Sequence, residues 1–371
     1  MDSRASDHPY SKLPPRAYWR SAVAELSPLM FENIYLPRFQ IGKDVTIAAA
    51  GSCFAQHISN QFKRRGYNFL DMEPAPALLP EDAWHKFGFD LYSARFGNVY
   101  SIRQLLQLFQ RAAGKFKPAE TLWKHNGRYF DPFRPSIEPD GFATAAEAER
   151  DIEYHLSRVN FLLERTGVLV FTFGLTEAWV GTEDGAVYPT CPGTIAGTFD
   201  PKRHKFHNFT YGEVLSDANA IIKLARRKNQ EIKFLFTVSP VPLTATASNM
   251  HVLPASVYSK SVLRAVCGEL YATHGEVDYF PSYEMVASHP FRAMFFDPNL
   301  RTVASRGVDH VMNAFFAAHE QVAAATKGRL SARRVRKLEK LGSSEDGGKG
   351  RRNKRNKDDV VCDEEILEVF A

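Results

Sequence analysis

Apolar positions along the chain fall into two alternating rhythms. Short continuous runs at residues 45–50 (VTIAAA), 167–173 (GVLVFTF), 231–238 (EIKFLFTV) and 277–280 (VDYF) are rich in small, β-branched and aromatic residues. They lack the polar alternation of a half-exposed strand, which predicts strands buried on both faces. Residues 67–70 add a further short strand. Between these runs the spacing turns helical, at 55–65, 101–112, 145–165, 212–228, 259–273 and 308–325. In 145–165, for example, Ile152, His155, Val159 and Leu162 share one face. Buried strands separated by helices predict an α/β protein, a three-layer α/β/α sandwich around a mostly parallel sheet. That domain spans residues 40–325. Residues 1–39 form an N-terminal extension packing on it, and 326–371 form a tail. There is no internal repeat, no G-x-G-x-x-G fingerprint and no Walker lysine.

Composition narrows the class. Of 371 residues, 44% are hydrophobic and 24% charged, which argues against global disorder. The four cysteines, Cys53, Cys191, Cys267 and Cys362, are widely spaced and form no C-x-x-C pair, as suits a reducing compartment. The first twenty residues contain no apolar core of a signal peptide, and no apolar run approaches the ~20 residues of a membrane helix. The expectation is a soluble, cytoplasmic protein without membrane insertion.

Charge is concentrated at one end. Residues 327–357 hold 13 Lys/Arg against 3 Asp/Glu, while residues 358–371 hold six acids and no base. The formal charge of +5 therefore belongs to the tail, and the body is nearly neutral. A basic Gly/Ser-rich stretch of this kind predicts a disordered, solvated tail. Nucleic acid or an anionic surface is the alternative partner, through that tail alone. The last residues (EEILEVFA) form an acidic-hydrophobic tip.

Ligands of open parallel sheets bind where strands hand over to helices. The first strand ends on Gly51-Ser52-Cys53-Phe54-Ala55. Gly51 permits a sharp turn, and Cys53 falls in the first turn of the next helix, where free N–H groups and the helix dipole favour a thiolate nucleophile. The same position also suits a small buried thiol packed beneath the helix. Cys191, His204 and His207 share one stretch, but their spacing matches no zinc site, so no metal is expected. That stretch, 190–209, is placed instead as a lid over the site.

The string GSCFA resembles the signature of the GSCFA family, itself similar to the SGNH/GDSL hydrolases. Further blocks resemble the family in order: Phe96-Gly97-Asn98-Val99-Tyr100, Phe173-Gly174-Leu175-Thr176-Glu177-Ala178-Trp179, Thr237-Val238-Ser239-Pro240-Val241, Tyr258-Ser259-Lys260-Ser261 and Tyr279-Phe280-Pro281-Ser282-Tyr283-Glu284. The resemblance covers residues 20–320 and implies a flavodoxin-like, SGNH hydrolase-type sheet. It places Cys53 where those hydrolases carry their serine nucleophile, with Ser52 as the second choice. It implies an oxyanion role for Gly97, with the Asn98 amide as a further donor. Gly174 opens a G-x-N-D-like block in which Thr176 replaces the asparagine and Glu177 follows.

The general base is the gap. SGNH hydrolases use D-x-x-H near the C-terminus, and Asn299-Leu300-Arg301-Thr302 stands in that place. His289 lies in a loop, and His310 directly follows Asp309 inside a helical pattern, about 100° apart from it. His251 follows the strand 231–238 and its loop, on the sheet edge where Cys53 sits, and is the base candidate. Lys260 and Arg301 are candidates for holding an anionic substrate group.

Two function classes follow. One is an acyl-transfer enzyme, an esterase or O-acyltransferase acting on a small-molecule, saccharide or other hydroxylated substrate. It needs no resident cofactor, and acyl-CoA is the donor for transfer. The other is a member that lost the chemistry and binds a glycan or acyl compound, or a scaffold whose basic tail does the work. Sequence alone assigns neither substrate nor oligomeric state.

Overall fold

The computed structural model describes residues 8–335 and 363–370. Four parallel strands form the central sheet: β1 (Ile47–Gly51), β4 (Val168–Phe173), β8 (Lys233–Val238) and β9 (Val277–Tyr279), in the order β1-β4-β8-β9. Phe69 extends it beyond β1 by one parallel bridge to Ile47, in place of the strand expected at 67–70.

Alternate residues of each strand serve different cores, as a pleat requires. Ala48, Ala50, Leu169, Phe171, Phe234 and Phe236 face one apolar cluster. It is closed by α2 (Ile102–Ala112), α3 (Ala145–Arg165), α4 (Tyr211–Lys228) and α5 (Val252–Thr273). Ile47, Ala49, Val168, Val170 and Leu235 face the other, closed by α1 (Cys53–Arg64), α6 (Ser282–Ala287) and α7 (Ser305–Val335). This is the three-layer α/β/α arrangement that the buried runs predict.

Local signals explain the helix starts. Ser101, Thr144 and Thr210 each accept a backbone N–H of the first turn, and Thr210 forms a capping box with Glu213. Helix α5 begins at Val252, seven residues before the expected start. Pro254 sits in its first turn, where no intrahelical N–H is needed.

Two small sheets lie outside the central one. β2 (Trp123–His125) and β3 (Arg128–Phe130) form a hairpin over Asn126-Gly127, both at positive φ. β5 (Glu177–Gly181), β6 (Val187–Tyr188) and β7 (His204–Asn208) form an antiparallel sheet. The stretch expected to be a lid thus supplies a paired strand, β7. His204 contacts Glu120, and His207 contacts Glu213.

Part of the N-terminal extension is tied to the domain. Buried Tyr35 donates to Asp278 Oδ2 at 2.8 Å, and Arg38 bonds the carbonyls of His274 and Val277. No helix among the described residues is long and apolar enough to cross a membrane.

Two parts of the tail are among the described residues. Helix α7 runs on to Val335 rather than ending at 325. Asp363–Phe370, which includes the acidic-hydrophobic tip, forms a 3-10 segment whose first two residues are buried in the body, where the Asn98 amide donates to Asp363 and the Arg301 guanidinium pairs with Glu364. The basic stretch expected to be disordered, with its nucleic-acid alternative, falls mainly on 336–362, outside the described residues.

Candidate functional site

The site is assembled at the carboxyl end of β1. Gly51 sits at φ 149°, and a Cβ there would lie 2.8 Å from the Thr172 carbonyl of β4. Only glycine lets the two strand ends approach this closely while the chain turns into α1. Ser52 is the N-cap residue, with its carbonyl accepting Ala55 N–H at 2.8 Å. Its hydroxyl makes no cap bond and is buried without a hydrogen-bond partner among the described residues. Cys53 is then the first residue of the helix, 6% exposed, among N–H groups that no helical carbonyl satisfies.

A loop from Tyr92 to Tyr100 runs beside β1 and is fastened to it. Ala49 N–H donates to Ser93 Oγ at 2.9 Å, and Val99 N–H donates to Gly51 O at 2.9 Å. Tyr92 donates its hydroxyl to Asn98 Oδ1 at 2.7 Å, and the same hydroxyl lies 3.2 Å from Ser52 O. Gln56, one turn beyond Cys53, donates to both Tyr92 Oη and Asn98 Oδ1. These bonds orient the Asn98 amide so that Nδ2 donates to Asp363 Oδ2 at 2.9 Å. Gly97, at φ 65°, makes the turn before Asn98 and packs towards Arg134.

An ion network supports this loop from behind. Arg134 pairs with Asp131 at 2.7 Å and with Asp151 at 2.8 Å, and Arg95 pairs with Asp151 and Glu138. Burial works to raise the Asp131 carboxyl, yet the charges of Arg134 and Arg111 hold it below its usual range. Glu73 accepts Arg95 N–H and meets His155 Nδ1 at 2.7 Å. Burial opposes its charge, but His155 and Arg134 hold Glu73 down at about 2. Burial and Arg134 lower His155, outweighing Glu73.

The opposite wall comes from β4 and α5. A Cβ on Gly174 would fall 2.9 Å from Tyr100 O and 3.1 Å from Ser52 Cβ, so the absence of a side chain closes the wall over Ser52. Lys260, 3% exposed, donates to Gly174 O at 2.6 Å. Burial lowers it to about 8 against the pull of Glu364 and Cys53 and with the push of Arg301. Arg301, 7% exposed, is turned inward by a tight turn in which Asn299 Oδ1 accepts the N–H groups of Arg301 and Thr302. Its Nη2 lies 3.2 Å from Glu364 Oε2. Burial raises Glu364 to about 7, with Arg301 and Lys260 pulling the other way.

Cys53, Ser52, Asn98, Gly174, Lys260 and Arg301 are therefore linked into one cluster by contacts and mutual charge. Other sequence candidates lie to its side. Thr176 donates to Asn208 Oδ1 at 2.6 Å and is satisfied locally. Glu177, raised by burial, accepts the Thr246 hydroxyl and lines an adjoining cavity of about 290 Å³ with Tyr100, Leu175, Trp179, Leu243 and Leu367. His251 is exposed and caps α5, with Nδ1 accepting Leu253 N–H at 3.1 Å. Nine residues of helix separate it from Lys260, about 13 Å along the axis. His289 stacks on Trp19, and His310 stacks on Phe295.

Sequence reasoning missed Tyr92, Gln56, Asp363 and Glu364. Gln56 has a signal in its three-residue spacing from Cys53 on one helix. Tyr92 lies six residues before Asn98 in a loop without a regular period, and Asp363 and Glu364 have no signal because their partners are 265 and 63 residues away.

The model of the GSCFA family matches residues 46–315. No curated protein matches the chain. Among solved structures, a carbohydrate esterase family 3 from Talaromyces cellulolyticus aligns at 10% identity and a TM-score of 0.35, covering 75% of this chain and 97% of that one.

Proposed function

Because the chain belongs to the GSCFA family, we propose that it is an esterase-like acyl-transfer enzyme with Cys53 as nucleophile. The observation that carries this reading is the placement of buried Cys53 at the start of α1, with the buried Lys260 ammonium held on Gly174 against the same turn. A neighbouring ammonium and a helix N-terminus both favour thiolate over thiol.

In this reading the Cys53 thiolate attacks the carbonyl carbon of an acyl ester or acyl-CoA. The Cys53 backbone N–H and the Asn98 amide are the donors for the tetrahedral oxyanion. Collapse expels the alkoxide or thiolate, which takes a proton from Lys260, leaving a thioester on Cys53. An acceptor hydroxyl, of a saccharide or another hydroxylated compound, then attacks the thioester as Lys260 recovers the proton. Water in place of that hydroxyl gives hydrolysis. An amine lowered to about 8 can hold and return a proton near neutral pH. This assigns to Lys260 the exchange of protons that a histidine performs in the serine hydrolases. A cytoplasmic setting belongs to the same reading, in keeping with the free thiols Cys53, Cys191 and Cys267.

The test is iodoacetamide labelling of Cys53 from pH 6 to 9, with p-nitrophenyl acetate turnover in parallel. It uses wild type, Cys53→Ser, Ser52→Ala, and a chain with Glu364→Ala and Leu367→Ala. Fast labelling at pH 7 and turnover lost in Cys53→Ser are expected. Ordinary thiol reactivity in every background would overturn the nucleophile assignment.

A further inference from the structure

Among the described residues, the C-terminal tip is the acidic element that enters the cleft. Asp363 and Glu364 are both buried there. Asp363 accepts a hydrogen bond from the Asn98 amide, and Glu364 lies against Arg301 while its N–H donates to Tyr100 Oη at 3.3 Å. Glu365 adds a longer contact of 3.9 Å to Arg301 Nη1. Leu367 closes the edge of the adjoining cavity. The tip therefore spans both the polar wall and the adjoining apolar hollow.

Without Glu364 the cleft is electrostatically incomplete. The charges acting on Lys260 are those of Glu364, Cys53 and Arg301. Removing Glu364 takes away the carboxylate nearest to Arg301 and leaves it the longer Glu365 contact at 3.9 Å. Desolvated cations require a counter-charge, so an emptied cleft attracts an anion of carboxylate shape. Arg301 is the better anchor, because its planar fork matches a carboxylate.

We propose that Arg301, with Lys260 beside it, forms a carboxylate subsite that takes a small hydroxylated acid as substrate, and that Glu364 occupies this subsite as an internal stand-in. The proposal rests on the acyl-transfer reading of the same cleft and names its substrate class. The acid's carboxylate lies on Arg301, which leaves its hydroxyl or ester facing Cys53. The tip and the acid compete for one place, and the chain holds its own competitor covalently. Apparent affinity for the acid then scales with the fraction of molecules whose tip is undocked.

Titration calorimetry tests this in full-length chains carrying Cys53→Ser, so that binding is read without turnover. The chains compared have the native tip, Glu364→Ala with Leu367→Ala, and that pair with Arg301→Gln. The ligands are D-glucuronate and malate, with D-glucose as the neutral control. The tip variant should bind at least one acid tenfold or more tightly than the native-tip chain does, and tenfold more tightly than it binds D-glucose. Arg301→Gln should remove that preference. Glucuronate alone would identify a sugar acid, and malate alone an aliphatic hydroxy acid. Both together would show recognition of the carboxylate itself.

The isosteric Glu364→Gln keeps the packing of the tip and should raise acid binding at least threefold, which guards against misfolding of the double variant. Acids bound no better by the tip variants than by the native-tip chain, or no better than D-glucose, would overturn the subsite. Failure of Cys53 to accept an acyl group bears only on the acyl-transfer reading, since the titration does not depend on that sulfur.

Discussion

Lys260 donates its ammonium to the Gly174 carbonyl at 2.6 Å, joining α5 to the end of β4 directly over Ser52. One bond thus sets where a positive charge sits relative to the turn that carries Cys53. The lysine reaches this point from the third turn of α5, whereas exposed His251 caps that helix about 13 Å away along its axis.

Replacing Lys260 with methionine keeps its length and removes its charge. In the Glu364→Ala, Leu367→Ala background, Lys260→Met should slow iodoacetamide labelling of Cys53 at pH 7 by about tenfold, which corresponds to about 1.4 kcal/mol. Labelling rates followed by mass spectrometry give the comparison. An unchanged rate would remove Lys260 from the electrostatics of the thiol.

The glycines at the two strand ends have no room to grow. Alanine at Gly174 meets Tyr100 O at 2.9 Å, and alanine at Gly51 meets Thr172 O at 2.8 Å while holding φ at 149°. Backbone atoms cannot swing aside as a long side chain can. Each substitution should cost about 1–3 kcal/mol, with Gly51→Ala the larger, as overpacking typically does. Urea unfolding measures both, and a loss below about 0.5 kcal/mol would contradict this.

Asp131 lies at the centre of the ion network behind the Asn98 loop, fully buried against Arg134 at 2.7 Å. Asp131→Ala leaves that guanidinium with Asp151 alone among its ion-pair partners. Breaking one partner of a buried pair costs about 3–5 kcal/mol. The melting temperature should fall accordingly. Cys53 labelling in the surviving folded fraction should change little, since the network supports the loop and does not touch the thiol.

His319 gives stability an acid limit. Burial lowers it from 6.5 to about 4, and its Nδ1 accepts Ile41 N–H at 3.2 Å while Tyr35 Oη lies 3.5 Å from Nε2. The unfolded chain takes up a proton below about pH 6.5, and the folded chain resists until about pH 4. Stability is therefore complete above about pH 6.5 and falls as the pH drops towards 4, by about 3 kcal/mol in all. Urea unfolding between pH 4 and 8 should show this slope, and His319→Gln should flatten it relative to wild type.

The central sheet was legible because its strands are buried on both faces and so appear as unbroken apolar runs. β1, β4, β8 and β9 all lie within one or two residues of the expected bounds. The small sheets were not legible, because strands of two to five residues are too short to establish a period. The turn that carries Cys53 could be placed from the sequence, since Gly51 and Cys53 are neighbours there. The rest of the cluster comes from long-range contacts such as Asn98 with Asp363 and Arg301 with Glu364, separated by 265 and 63 residues. No local pattern in the chain encodes such pairs.

The crowding around Gly51 and Gly174 bears on how this motif should be read in evolution. Packing alone disfavours a side chain at either place, so the requirement for a stable sheet is enough to retain both glycines whether or not the site is catalytic. Glycine at these two places is therefore accounted for by the fold alone. Whether selection still acts on catalysis has to be judged from the drift of Cys53 and Lys260, whose replacement the sheet itself would tolerate far more readily.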